Sequence, residues 1–223
     1  MTSEHLARSL SERGEVVLRR RGDDGALELR VNGVFVMDSA ETRSERLLAH
    51  EALDAVATSH DDLIVMIGGL GLGYTLAAVL DDERVVCVVV AEIEPVLVVW
   101  HRRGLVPGSR LDDPRVRVEI GDVRDVVAAL DDGSVNLIAL DVDNGPGFLV
   151  YDANAAAYRT PFLSSCRRAL REHGLLAVWS ADSSSTLTSA LDEVYGSCTE
   201  RRIPVELGRR STSYHLFLAA ASP

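Results

Sequence analysis

The stretch LIVMIGGLGLGYTLAAVLDDERVVCVVVAEIEP, Leu63 to Pro95, decides the fold. LIVMIGG is an uncharged apolar run of strand length, and GYTLAAVLDD follows it as a helix. RVVCVVVAEIE is a second strand, and Pro95 opens the next helix, where its missing N–H does no harm. A near-continuous apolar strand, a glycine turn, a helix and a second such strand make a parallel β-α-β unit buried on both faces. Leu63 to Leu80 carries no charge and has the length of a membrane span. Its glycines and the strand that follows argue for a buried strand-turn-helix instead.

The pattern continues downstream. RVRVEIGD, VNLIALD and LLAVWSA read as strands. VRDVVAALDD, TPFLSSCRRALREHG and STLTSALDEVYGS read as helices. The tail ERRIPVELGRRSTSYHLFLAAA holds two strands with no helix between them, an antiparallel pair at a sheet edge. Upstream, GEVVLRRRG, ALELRV and VFVMD are separated by DDG and NG, strong hairpin signals, so an antiparallel β meander is expected over Glu15 to Asp38. Leu47, Leu48, Ala52, Val56 and Ala57 recur at helical spacing after it. The expected fold is therefore α/β: a doubly wound, mostly parallel, Rossmann-like sheet over 61–223, preceded by a small meander and helix over 1–60.

Composition excludes several chemistries. The 223 residues carry a net charge of −11 and are 47% hydrophobic. The overall charge repels polyanions, which argues against nucleic acid as a partner. Arg19-Arg20-Arg21 and Arg209-Arg210 are the local candidates for a basic rim, and both read as solvent-facing. There is no Lys, which removes Schiff-base chemistry and the P-loop, and no Gln. Cys87, Cys166 and Cys198 form no CxxC pair, and the His residues lie in no ligand spacing, so neither a disulfide framework nor a metal site is expected. The N-terminus is charged throughout and shows no signal peptide, so the expected compartment is cytoplasmic, with no membrane contact.

In such sheets ligands sit beyond the carboxyl ends of the strands. The first loop there is Gly68-Gly69-Leu70-Gly71-Leu72-Gly73. It fails the dinucleotide fingerprint, because Tyr74 stands at the third glycine position. It reads as a cofactor-lining loop or as a tight turn without ligand. Glu92 or Glu94 is placed to accept from both hydroxyls of a ribose, leaving the other as a solvated helix-start acid. Asp122 can accept from an adenine amino group or cap the helix behind it. The fourth strand opens into LDVDNGPG, Leu140 to Gly147, with Asp141, Asp143 and Asn144 at its mouth.

Together these motifs resemble a class I S-adenosylmethionine-dependent transferase. More narrowly they resemble the spermidine synthase (polyamine aminopropyltransferase) family, through LELRVNGVFVMD, His50-Glu51, IGGLGLG, AEIEP, GDVRD, LIALDVDNGPG and TPFLSSCRRAL. The resemblance implies that Gly68, Gly69, Gly71 and Gly73 line the cofactor, Glu92 holds the ribose and Asp122 the adenine. It implies that His50 reaches the cofactor's amino-acid tail. Asp141 would match the catalytic aspartate that holds the acceptor amine and helps remove its proton. Family members are often dimers, so a homodimer is an expectation of the same kind.

The departures are as informative. The family's glycine loop carries an acid where this chain has Gly71. Its YHE reads Ala49-His50-Glu51, and its second acid after the fourth strand is Asn144. A neutral loop at Gly71 removes the like-charge penalty against the carboxylate of intact S-adenosylmethionine. The first expectation is therefore methyl transfer from intact S-adenosylmethionine to a small amine-bearing acceptor, without metal. Aminopropyl transfer from the decarboxylated cofactor comes second, and a non-catalytic homologue third. Aminocarboxypropyl transfer shares the same pocket requirements. A nicotinamide oxidoreductase lacks both the third glycine and a lysine. Asp143 points away from Asp141 if strand geometry persists, and Asn144 cannot neutralise a second ammonium. The loop after Gly147 has lid length and brings Tyr151, Asp152 and Tyr158 as acceptor contacts. Trp100 and Trp179 read as core or pocket wall.

Overall fold

The computed structural model describes residues 4–56, 62–147, 149–207 and 210–221. Two sheets organise it. Strands β1 (Glu4–Ser11), β2 (Gly14–Arg20), β3 (Leu27–Val31) and β4 (Val34–Asp38) form an antiparallel sheet in that order. The expected meander is its last three strands. β1 was not legible, because it is a mostly exposed edge strand of which only Leu6 and Ala7 pack on the core; Leu10 on it is 70% exposed. Helix α1 (Arg43–Ala55) follows.

The second sheet has seven strands. β5 (Leu63–Gly68), α2 (Tyr74–Leu80), β6 (Val85–Glu92), α3 (Pro95–Arg102), β7 (Val116–Ile120) and α4 (Val123–Ala129) build one half. β8 (Val135–Leu140), α5 (Thr160–Ala169), β9 (Leu170–Ser180), α6 (Ser185–Tyr195), β10 (Thr199–Leu207) and β11 (Arg210–Ala220) build the other. The strand order is β10-β11-β9-β8-β5-β6-β7. β5 to β9 are parallel, and β11 and β10 run antiparallel to their neighbours. The chain leaves β5 for β6 and β7, then returns to β8 on its other side. The topological switch point thus lies between β5 and β8, where doubly wound sheets open a crevice.

Helix α5 ends earlier than its sequence suggests. The helical pattern runs to Gly174, yet Leu170 is already in β9 and pairs with Val135. Burial of Leu170 against β8 overrides local helix propensity, and His173 takes a positive φ of 62° to turn the chain.

The core wraps both faces of the large sheet. On one face Val16, Leu18, Leu27 and Leu29 of the small sheet share a cluster with Leu48 and Leu53 of α1 and Val65 and Ile67 of β5. The small sheet is therefore held over the sheet's carboxyl end by buried apolar area. On the other face Leu163 and Cys166 of α5 and Leu187 and Leu191 of α6 cover Met66 and Ile138. Among the described residues no helix is long and apolar enough to cross a membrane, and no group of three or more His, Cys, Asp or Glu is placed to hold a metal ion. Arg209 lies outside the described residues.

Candidate active site

The carboxyl ends of β5, β6, β7 and β8, roofed by β3 and β4, enclose a cavity of about 640 Å³. The glycine loop forms its floor. Gly69 has φ +92°, and a Cβ there would collide with the backbone carbonyl of Asp141, so only glycine lets β5 and β8 release their loops side by side. Gly71 has φ +50°, and a Cβ would meet Met37 Sδ at 2.5 Å. Met37 Sδ also accepts from Leu72 N at 3.2 Å, so β4 packs directly on the loop. His101 Nε2 donates to the Gly71 carbonyl at 2.9 Å, and its Nδ1 faces Ser109 Oγ at 2.9 Å. Burial lowers the His101 pKa, which favours the neutral ring. Gly69 and Gly71 line the cavity; Gly68 and Gly73 shape the loop from behind it.

The acids at the strand ends play separate parts. Glu92 is buried, and its carboxylate accepts from Leu70 N at 2.9 Å and Glu94 N at 2.7 Å. Desolvation raises its pKa. It anchors the loop and also lines the cavity. Glu94 is not the solvated acid that sequence allowed. It is 3% exposed, accepts from Arg13 Nε at 2.9 Å and from the Tyr151 hydroxyl at 3.0 Å, and so joins the β1–β2 turn to the loop after β8. Asp122 caps α4 by accepting from Arg124 N at 2.8 Å, and the Arg124 guanidinium holds its carboxyl below the usual range. The capping role is thus realised at a position that also faces the cavity.

Asp141 emerges from β8 and is partly open to the cavity. Thr75 Oγ1 donates to its Oδ2 at 2.9 Å. Its neighbour is Glu45 of α1, 6% exposed, whose Oε2 accepts from Ser44 Oγ at 2.7 Å. Burial raises Asp141 to about 6. Burial, then the charge of Asp141, raises Glu45 to about 7. Sequence reasoning missed Glu45, although a signal was present: Glu45, Leu48, Ala49 and Ala52 lie on one helix stripe, which puts an acid where an apolar residue is expected.

His50 corrects an expectation. It is exposed, on the opposite side of α1, and does not line the cavity. Five residues separate it from Glu45, about 140° around the helix. Asp143 is buried and organises the loop, accepting from Asn144 N, Val150 N and Asn154 Nδ2 at 2.7–3.0 Å. Asn144 Nδ2 donates to the Phe35 carbonyl of β4 at 3.2 Å, and its own carbonyl accepts from Ala181 N. Tyr151 lines the cavity. Tyr158 does not; its buried hydroxyl has no hydrogen-bond partner among the described residues, at the end of a 3-10 helix (Asp152–Tyr158). Trp179 and Tyr214, with ring centroids 4.9 Å apart, form an aromatic wall beside Leu29 and Val31.

The lining is strongly acidic: Asp38, Glu41, Glu45, Glu92, Glu94, Asp122, Asp141 and Asp143 against Arg124 alone. Such a cavity focuses a negative potential and favours cationic ligands.

Three solved structures share this fold. A spermidine synthase in complex with the transition-state analogue AdoDATO superposes with a TM-score of 0.84 at 18% identity, covering 98% of this chain and 74% of that one. The spermidine synthase of Thermotoga maritima gives 0.83 at 18% identity, covering 98% and 73%. A probable spermidine synthase of Corynebacterium glutamicum ATCC 13032 gives 0.71 at 18% identity, covering 97% and 80%. No protein-family model and no curated protein sequence matches the chain. The likeness spans both sheets, so the chain has the spermidine-synthase form of the class I methyltransferase fold.

Proposed function

We propose that the protein is an aminopropyltransferase, moving an aminopropyl group from decarboxylated S-adenosylmethionine to a primary amine of a small linear acceptor. The carrying observation is the set of carboxyl groups Asp141, Glu45 and Glu41 that face the cavity with no ion-pair partner among the described residues. Both ligands of this reaction are cationic. Methyl transfer from intact S-adenosylmethionine, expected from the neutral Gly71, is the weaker reading. The cavity lining is acidic overall, so the carboxylate of the intact cofactor would meet like charge despite the neutral Gly71. The three solved neighbours favour the same choice.

The residues fit the cofactor. Gly69 and Gly71 bring bare backbone to the cavity wall, Glu92 presents a buried carboxylate beside them, and Asp122 stands at the next strand end. When bound, the cofactor supplies a carbon on a sulfonium, so that a C–N bond forms as the C–S bond breaks and a neutral thioether leaves. The chain's task is alignment and proton removal. Asp141, held by Thr75, takes the acceptor's proton; with a pKa of about 6 it is a better base near neutrality than a free aspartate near ~3.9. The apolar roof and Tyr151 exclude water.

Calorimetric titration with decarboxylated and with intact S-adenosylmethionine tests the reading, followed by mass spectrometry of products formed with linear diamines. Tighter binding of the decarboxylated form and a product heavier by one aminopropyl group are expected. Tighter binding of the intact form with a methylated product would replace this reading by methyl transfer. Binding without turnover of any acceptor would replace it by a non-catalytic role.

A further inference from the structure

Most acids around the cavity are supplied with donors by the fold. Asp38 has Arg21, Glu94 has Arg13 and Tyr151, and Asp122 has Arg124. Glu92 and Asp143 are held by backbone N–H groups. Glu45 and Asp141 are treated differently. Each accepts from a single hydroxyl, Ser44 for Glu45 and Thr75 for Asp141. Both line the same cavity, the charge of Asp141 acts on Glu45, and Thr75 Oγ1 also lies 3.5 Å from the Glu45 backbone carbonyl, tying α1 to the end of β8. No arginine or histidine forms an ion pair with either among the described residues. Carboxyl groups buried this way are costly unless a cation completes them. They share the cavity with an aromatic wall, Trp179 and Tyr214, and the Tyr214 hydroxyl feels the charge of Glu45.

We propose that Glu45 and Asp141 together bind the ammonium of the acceptor, and that Glu45 is a specificity-determining residue standing in for the second acid absent at Asn144. The proposal rests on the reading of the cavity as an amine-acceptor site. Glu45 approaches from α1 and Asp141 from β8, so the ammonium is bracketed by two elements rather than by one loop. Glu41 lies further along the same side, and the hydroxyl of Tyr214 feels the charges of Glu45, Glu41 and Asp38. Tyr74 of α2 also faces Glu45, with the Arg46 guanidinium 5.5 Å from its ring centre. A linear diamine would run its methylenes along the aromatic wall and leave its second ammonium near Glu41.

The test uses the full chain with E45Q and E45D, 1,4-diaminobutane as acceptor and decarboxylated S-adenosylmethionine as donor. In E45Q the diamine KM should rise about tenfold or more, the loss of a charge-assisted contact, with donor affinity unchanged within twofold. E45D should fall between. Direct titration with the diamine alone should show the same order. E45Q removes a like charge beside Asp141, so its melting temperature at pH 8 should not fall below that of the unsubstituted protein. An active protein whose diamine KM and diamine affinity are indifferent to E45Q overturns the role of Glu45 alone. If the unsubstituted protein neither binds nor turns over any linear diamine, the amine-acceptor reading falls and takes Glu45 with it.

Discussion

Thr75 Oγ1 donates to Asp141 Oδ2 at 2.9 Å and lies 3.5 Å from the Glu45 backbone carbonyl, so one hydroxyl ties β8 to the first turn of α1 beside the cavity lined by Asp141 and Glu45. Their pKa values, about 6 and about 7, both exceed those of free carboxyls. At these two groups the folded state therefore holds more protons than the unfolded state between about pH 4 and 7, and their contribution to stability falls as pH rises through that window. Denaturation at pH 5.5 and pH 8 should show this fall, and D141N or E45Q should reduce it. Glu92 and Asp143 are raised in the same direction and remain in both variants, so the difference in slope is the readout. An unchanged slope in both variants would remove the acid pair from the account.

D141N should lower turnover by about a hundredfold to ten-thousandfold, the usual worth of a positioned base, and leave donor affinity within a few-fold. Asn keeps the contact with Thr75 but cannot take a proton. Single-turnover kinetics with separately measured donor binding distinguish the two quantities. Full activity in D141N would reassign the base.

Restoring the absent family acid should harm the protein. Asn144 Nδ2 donates to the Phe35 carbonyl, and N144D would set a carboxylate against that carbonyl. The expected result is a loss of about 1–3 kcal/mol and a weaker acceptor affinity, from release of β4 above the cavity. Urea denaturation and the acceptor KM report these. A gain in acceptor affinity without loss of stability would show that Asn144 is free to serve the substrate.

Gly71 is protected twice. Its φ of +50° costs a non-glycine residue about 1 kcal/mol, and Met37 Sδ occupies the space of a Cβ. G71A should weaken donor binding, and adding M37A should recover part of it by removing the clash while the backbone cost persists. Calorimetry on the single and double variants measures the coupling. Identical donor affinity in G71A and the unsubstituted protein would mean the loop does not touch the cofactor.

Y151F deletes one of two contacts to the buried Glu94 and should cost about 1 kcal/mol. Faster hydrogen exchange should be confined to the loop after β8. Exchange spread evenly over the large sheet would show that Tyr151 is not what ties the loop down.

Repeating local signals made the fold readable. Apolar strands alternating with helices from Leu63 onward yield the parallel sheet, and Asn32-Gly33 marks a hairpin, with Asn32 at φ 52°. The strand-end acids were readable for the same reason: Glu92, Asp122 and Asp141 each end an apolar run. Contacts made across the chain were not. Arg13 meets Glu94 across 81 residues, and no local pattern announces that pairing. His50 was drawn into the site by its motif, whereas the phase of α1 brings Glu45 there instead. β1 lacked a clear apolar alternation because an edge strand buries only a short stretch, here Leu6 and Ala7.

Glu94 gathers Arg13 from 81 residues upstream and Tyr151 from 57 residues downstream onto one carboxylate oxygen. Contacts of that separation form late, because the loops they close carry the largest entropic cost. The β5–β6 unit can assemble early from neighbouring segments, but the cavity closes only after the small sheet has docked. Ligand-binding elements are drawn from the least stable parts of a native fold. A bound donor, touching floor and roof together, would then slow the first opening step of unfolding and extend the protein's lifetime against proteases.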